Sequence, residues 1–233
     1  MKRNHYWIGL VFALSIISCG GDSETSITRD GDILIIGDGA TDLSLDTILS
    51  ANNLTFSTVP MDSGFYGDEL NSENISTVIL CDGEGYEFGM PEQGQQALLD
   101  FVANGGRLIL MEWIAYEIDS DRYTVLDTIV PVLRSSGREG TETYTVQLFN
   151  ELTEGLDTTF TVSSGSNIGT ARFGTVHIKG SSSGDALVTH TWGQGEVIQM
   201  ACAGNYEGYN PFAEPNMKKL ILNAVMISSL PKK

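Results

Sequence analysis

The sequence predicts an α/β fold: a doubly wound, flavodoxin-like, mostly parallel sheet with a β-rich C-terminal half. Three observations carry this. The runs Ile33–Ile36, Ile75–Cys81 and Leu108–Met111 are short and largely apolar along their length, the pattern of strands covered on both faces. Helical spacing lies between such runs, in Leu45, Ile48 and Leu49 and in Ala97, Leu98, Phe101 and Val102. From Thr141 to Cys202 the pattern changes to alternating β-branched and aromatic residues punctuated by Gly and Ser, which reads as short, partly antiparallel strands.

Taken in order, the first strand stops at Gly37-Asp38-Gly39, and Asp42 is placed to cap the helix that follows. Asn52 and Asn53 end that helix, and Phe56–Val59 forms a second strand. A polar loop with Asp62, Gly64, Gly67 and Asp68 leads to the third strand, after which Asp82-Gly83-Glu84-Gly85-Tyr86 turns away. Pro91 suits a first helical turn, Gly105-Gly106 ends the helix, and the fourth strand runs into Glu112, Trp113, Tyr116 and Glu117. This order implies right-handed βαβ crossovers. Thr143–Val146 and Thr175–Ile178 are strands of the β-rich half, Gly195–Met200 is the last strand, and Pro215–Ser229 is a closing helix with Met217, Leu220, Ile221, Ala224 and Val225 on one face.

The N-terminus predicts export. Lys2 and Arg3 precede an apolar stretch, Ile8 to Ile17, of about ten residues where a spanning helix needs roughly 20. Ile16-Ile17-Ser18-Cys19 resembles the bacterial lipobox, which implies acylation of Cys19 and cleavage before it. The chain then divides into a signal peptide (1–18), a small polar tether (19–31) and an α/β domain (32–230). Gly20, rather than an acidic residue, follows Cys19, so the expected location is the cell envelope, at the outer membrane, held through the Cys19 lipid. The net charge is −17, with 30 acidic residues against 13 basic. Without a cluster of Lys and Arg, such a chain does not bind nucleic acid. Beyond Cys19, Cys81 and Cys202 lie near the ends of apolar runs. They could pair in an oxidising compartment, but are expected to be two buried free thiols.

The arrangement of Ile33–Gly37, Val78–Cys81 with its glycine loop, Gln95–Leu99 and Gly105-Gly106-Arg107-Leu108-Ile109 resembles the class I glutamine-amidotransferase-like superfamily, in particular its trehalose-utilisation-protein-like branch. Asn150-Glu151-Leu152-Thr153-Glu154-Gly155-Leu156 is similar to the His-Pro-Leu-x-x-Gly-Leu stretch of such proteins, and Gly193–Val197 with Asn223–Val225 to their final strand and closing helix. The catalytic triad is not preserved. Where the resemblance places a nucleophile elbow with cysteine between glycines, this chain reads Leu110-Met111-Glu112-Trp113, and no histidine stands in Cys202–Glu207. A thiol without a nearby base is a poor nucleophile, so glutaminase chemistry is not expected and no catalytic residue is assigned.

An open parallel sheet binds ligands at the carboxyl ends of its strands. The candidate rim there is Asp38, Asp82, Glu84, Tyr86, Glu112, Trp113, Tyr116, Asn205 and Tyr206. Acidic and aromatic residues together suit a sugar, or a hard cation preferring oxygen ligands, or simply reflect an acidic protein whose aromatics cap its core. Asp38 and Glu112 are a candidate acid–base pair for glycoside cleavage. His177 and His190 read as strand residues, solvent-facing or hydrogen-bonded, rather than metal ligands. No metal or cofactor is expected. The leading expectation is a domain that binds a small molecule, a glycan or an envelope protein. The alternatives are a carbohydrate-active hydrolase using strand-end carboxylates and a purely structural envelope component.

Overall fold

The computed structural model describes residues 32–38, 44–71, 74–83, 88–204 and 209–228. In chain order its strands are β1 (Asp32–Ile36), β2 (Phe56–Val59), β3 (Ile75–Asp82), β4 (Arg107–Glu112), β5 (Val132–Val146), β6 (Thr159–Ala171), β7 (Thr175–Gly180), β8 (Gly184–Trp192), β9 (Gly195–Met200) and β10 (Cys202–Ala203). The helices are α1 (Leu45–Ala51), α2 (Glu92–Ala103), α3 (Ile114–Asp119) and α4 (Pro215–Met226). All ten strands belong to one sheet ordered β10-β6-β5-β7-β8-β9-β4-β3-β1-β2.

Strands β2, β1, β3, β4 and β9 are parallel neighbours. Side chains alternate across a strand, so each apolar run feeds two cores. Ile33, Ile35, Ile79, Cys81, Ile109, Met111 and Ile198 lie on one face with Leu45, Ile48 and Leu49 of α1 and Met217, Leu220, Ile221 and Ala224 of α4. Leu34, Ile36, Val78, Leu80, Leu108, Leu110 and Val197 lie on the other with Leu98 and Val102 of α2 and Ile114 of α3. Burying side chains of this kind contributes about 1.5–3 kcal/mol each. Asp42 lies outside the described residues, and α1 follows Ser44, whose side chain makes no capping bond.

The sheet is not mostly parallel, because the β-rich half departs from the sequence reading. Strands β5 to β8, and β8 with β9, pair antiparallel. The links β7–β8 and β8–β9 are only residues 181–183 and 193–194, and links this short join antiparallel neighbours, whereas parallel pairing needs a long crossover. A further pairing, Gly169 with Gly184, joins β6 to β8 and closes β5–β8 into a small barrel. Both closure points require glycine. A Cβ on Gly184 would strike the Gly169 carbonyl, and one on Gly169 would strike Val132 and the Leu133 carbonyl.

The strands here are also longer than the alternation suggests. β5 has 15 residues and β6 has 13, and they pair from Val132 with Ala171 to Thr145 with Thr159. β5 begins ahead of Thr141 because Leu133 to Gly140 is mostly exposed or half-buried, and its run Arg134–Gly140 has no apolar period to read. Glu142 accepts from the Ser182 and Ser183 amides and the Ser183 and Ser166 hydroxyls, and pairs with Arg138 at 3.0 Å.

Candidate functional site

The carboxyl ends of β1, β2, β3 and β4 deliver acidic residues to one end of the parallel sheet. β1 runs through Gly37 (φ 103°) to Asp38, whose Oδ1 accepts from the Gly83 amide at 2.8 Å and so ties the exit of β1 to that of β3. Glycine is required at 37, because a Cβ would collide with the Cys81 carbonyl. The segment after β2 supplies Asp62, which is buried, accepts from the Ser63 amide at 2.7 Å and receives the Tyr123 hydroxyl. β3 ends in Asp82, in register with Glu112 at the end of β4. α3 supplies Glu117, gripped by Arg122 through Nε at 2.6 Å and Nη2 at 2.7 Å.

Asp82 differs from the others. By strand alternation its side chain lies opposite Cys81, on the face of Leu80 that α2 and α3 cover. It is 1% exposed, and among the described residues neither carboxylate oxygen has a hydrogen-bond partner. Buried carboxylates nearly always have partners. Burial, and then the charges of Asp62, Glu117, Asp38 and Glu112, push its carboxyl up to about 9. Burial also raises Asp62 and Glu117 above the usual carboxylate range. A carboxylate kept from water among like charges holds its proton.

Glu112 occupies the turn where the resemblance places the nucleophile elbow, and its φ is 58°, in the left-handed region. That backbone re-aims the side chain: Oε1 accepts from the Gly204 amide at 2.7 Å, while its carbonyl accepts from Asn167 Nδ2 at 2.7 Å. It is buried rather than an exposed loop end, because the elbow sends it inward against the segment after β10.

Trp113 and Tyr116 are placed by packing. A Cβ built on Gly165 would lie 3.1 Å from the Trp113 ring and one on Gly137 3.6 Å from it, so the indole lies against glycines of β6 and β5. The Tyr116 ring meets the guanidinium groups of Arg122 at 5.3 Å and Arg134 at 5.0 Å. Neither is an unengaged stacking surface. Glu84, Tyr86, Asn205 and Tyr206 of the expected rim, and Cys19, lie outside the described residues.

Cys81 and Cys202 are buried thiols that form no disulfide with each other, and Cys81 Sγ donates to the Ile36 carbonyl at 3.5 Å. Burial pushes the Cys202 thiol up, further from the thiolate a nucleophile needs. His177 is buried between Thr189 Oγ1 at 2.8 Å and Asn150 Nδ2 at 3.3 Å, and His190 is half-buried beside Phe173. Sequence reasoning missed Asp62 and Tyr123, which lie 61 residues apart, and it left Glu117 outside the rim. The only sequence signal for Glu117 is its place one helical turn beyond the elbow.

No family model matches the chain, and no curated protein matches it. Solved structures do. A cytoplasmic protein from Salmonella typhimurium is 17% identical with a TM-score of 0.66, over 83% of this chain and 97% of that one. A ThuA-like protein from Bacteroides uniformis is 11% identical at 0.66, over 88% and 94%. A glutamine amidotransferase from Thermotoga maritima is 12% identical at 0.54, over 73% and 74%. Likeness at these identities speaks for fold and leaves function to the site. The chain therefore has a mixed α/β fold of the glutamine-amidotransferase-like kind, with a glutamate at the elbow.

Proposed function

We propose that this is an envelope protein, anchored through a Cys19 lipid, whose amidotransferase-like domain binds a small ligand at the carboxyl ends of its parallel strands without glutaminase chemistry. The observation that carries the reading is the elbow itself. The left-handed turn is kept, but it presents Glu112, whose carboxylate is committed to the Gly204 amide. An elbow that keeps its strain without its nucleophile suits a binding pocket whose walls are held in place. Exposed Met61, Tyr66 and Phe88, in the segments that follow β2 and β3, add apolar surface near the same end.

The hydrolase alternative asks for two carboxylates facing one substrate. Asp38 and Glu112 are instead each bonded to a backbone amide, so binding is the better account. The test is a thermal-shift screen of the full chain against monosaccharides, amino acids, amines and divalent cations. Stabilising hits should be lost in Asp38→Asn and Asp82→Asn. Hits that persist in both variants, or hits abolished only by changes around His177, would move the site away from the strand ends. Anchorage is tested by Cys19→Ala, which should abolish incorporation of a fatty-acid label.

A further inference from the structure

Resting on that binding reading, we propose that the ligand is an organic cation with N–H donors, a protonated amine or a guanidinium, seated on the Asp82 carboxylate. Asp82 presents two oxygens with no hydrogen-bond partner among the described residues, in a side chain 1% exposed. Its neighbours' oxygens are already engaged: Asp62 by Tyr123 and the Ser63 amide, Glu117 by Arg122, Asp38 by the Gly83 amide, Glu112 by the Gly204 amide. The charges that act on Asp82 are those same four carboxylates. Tyr123 faces the cluster as a neutral phenol, since burial and the nearby Asp62 and Asp82 charges hold its hydroxyl protonated. An anion is repelled from such a place, and a neutral sugar gains less from its field than a cation does.

A hard divalent ion asks for several convergent oxygens, and among the described residues no three acidic, His or Cys side chains converge as a metal site. One carboxylate with two available oxygens matches the paired N–H donors of an amine or guanidinium. The protein makes the same match one step away, where Arg122 grips Glu117.

Proton balance gives the signature. Below about pH 9 the empty site holds one proton on Asp82. The cation's N–H groups need an ionised acceptor, so that proton leaves to the buffer as the cation binds. Calorimetric titration of the full chain with methylguanidinium and methylammonium, in buffers of different ionisation enthalpy, should show about one proton released. Affinity should rise about tenfold per pH unit between roughly pH 6 and 8. Asp82→Asn should melt cooperatively and lose the binding, and tetramethylammonium, charged but without N–H donors, should not compete.

Affinity independent of pH with no proton released, unchanged binding in Asp82→Asn, or competition by tetramethylammonium would overturn the proposal. The proton count on the native chain decides the matter even if the variant does not fold. If glucose or Ca²⁺ alone binds, and Asp38→Asn abolishes it, the cation assignment falls while the strand-end binding reading stands. If no probe binds in a way these variants alter, both fall.

Discussion

The two ends of β4 carry buried charge under opposite conditions. At its amino end the Arg107 guanidinium, fully buried, pairs with Glu196 of β9 and donates to the carbonyls of Ala224, Val225 and Ile227 at 2.7–3.0 Å. Those carbonyls end α4, where a helix has acceptors without internal partners and a negative dipole end. One side chain thus ties two strands to a helix with its charge matched. At the carboxyl end the neighbouring strand offers Asp82, as deeply buried, with no matching donor and like charges around it. Burial alone does not mark a functional group. On the binding reading proposed above, it is burial without partners at the strand ends that does.

The comparison breaks most severely at Arg107. Arg107→Met keeps the apolar stem but leaves Glu196 buried beside unpaired helix-end carbonyls. Removing one partner of a buried pair costs about 3–5 kcal/mol, and urea unfolding should show a loss of that order. Arg107→Lys should recover only part, since one ammonium cannot reproduce four guanidinium bonds. A loss below about 1 kcal/mol would mean that this end of the sheet depends little on its charge.

At the other end the effect has the opposite sign and is set by pH. The Asp82 carboxyl is raised from 3.8 to about 9 on folding. The unfolded chain therefore gives up its proton first, so Asp82 favours the fold fully below about pH 4 and loses that contribution as pH rises toward 9. The slope from one such group is at most about 1.4 kcal/mol per pH unit. Asp62 and Glu117, also raised, act in the same direction. Asp82→Asn should flatten the decline in unfolding free energy between roughly pH 5 and 9 and leave the variant more stable than the native chain at the upper end. An unchanged pH profile would show that Asp82 finds a partner in solution.

How much of this was legible in the sequence follows the same divide. Apolar runs such as Ile33–Ile36 and Leu108–Met111 mark the parallel strands because both faces are buried, and a continuous run has few other readings. The barrel was not legible. Its buried, mutually hydrogen-bonded Glu142, Ser164 and Ser166 are polar and fall outside hydrophobic periodicity, and its closure rests on Gly169 meeting Gly184. Of the candidate site, Asp38, Asp82 and Glu112 could be placed because each ends or follows a readable strand. The burial of Asp82 and Glu112 could not, since it depends on segments distant in sequence, such as that of Gly204, which meets Glu112 from 92 residues away. Trp113 and Tyr116 were legible as neighbours of the elbow, but not as rings already engaged by Gly165, Arg122 and Arg134.

The smallest expected effect tests whether the elbow is strained. Glu112→Ala and Glu112→Gly both remove the carboxylate that accepts from Gly204, so both lose the same hydrogen bond, worth about 1–2 kcal/mol. They differ only in backbone preference. At an ordinary strand position glycine is the less stable choice by about 0.5–1 kcal/mol, because it gives up more freedom on folding. At φ 58° the order should invert, since alanine there carries a Cβ penalty of about 1 kcal/mol that glycine avoids. Glu112→Gly should therefore melt above Glu112→Ala, with a difference in unfolding free energy of about 0.5–1 kcal/mol. Glycine below alanine would mean that residue 112 relaxes out of the left-handed region once its side chain is gone. The turn would then be a consequence of the Glu112–Gly204 bond rather than a feature of the fold, and the argument for a pocket with fixed walls would weaken with it.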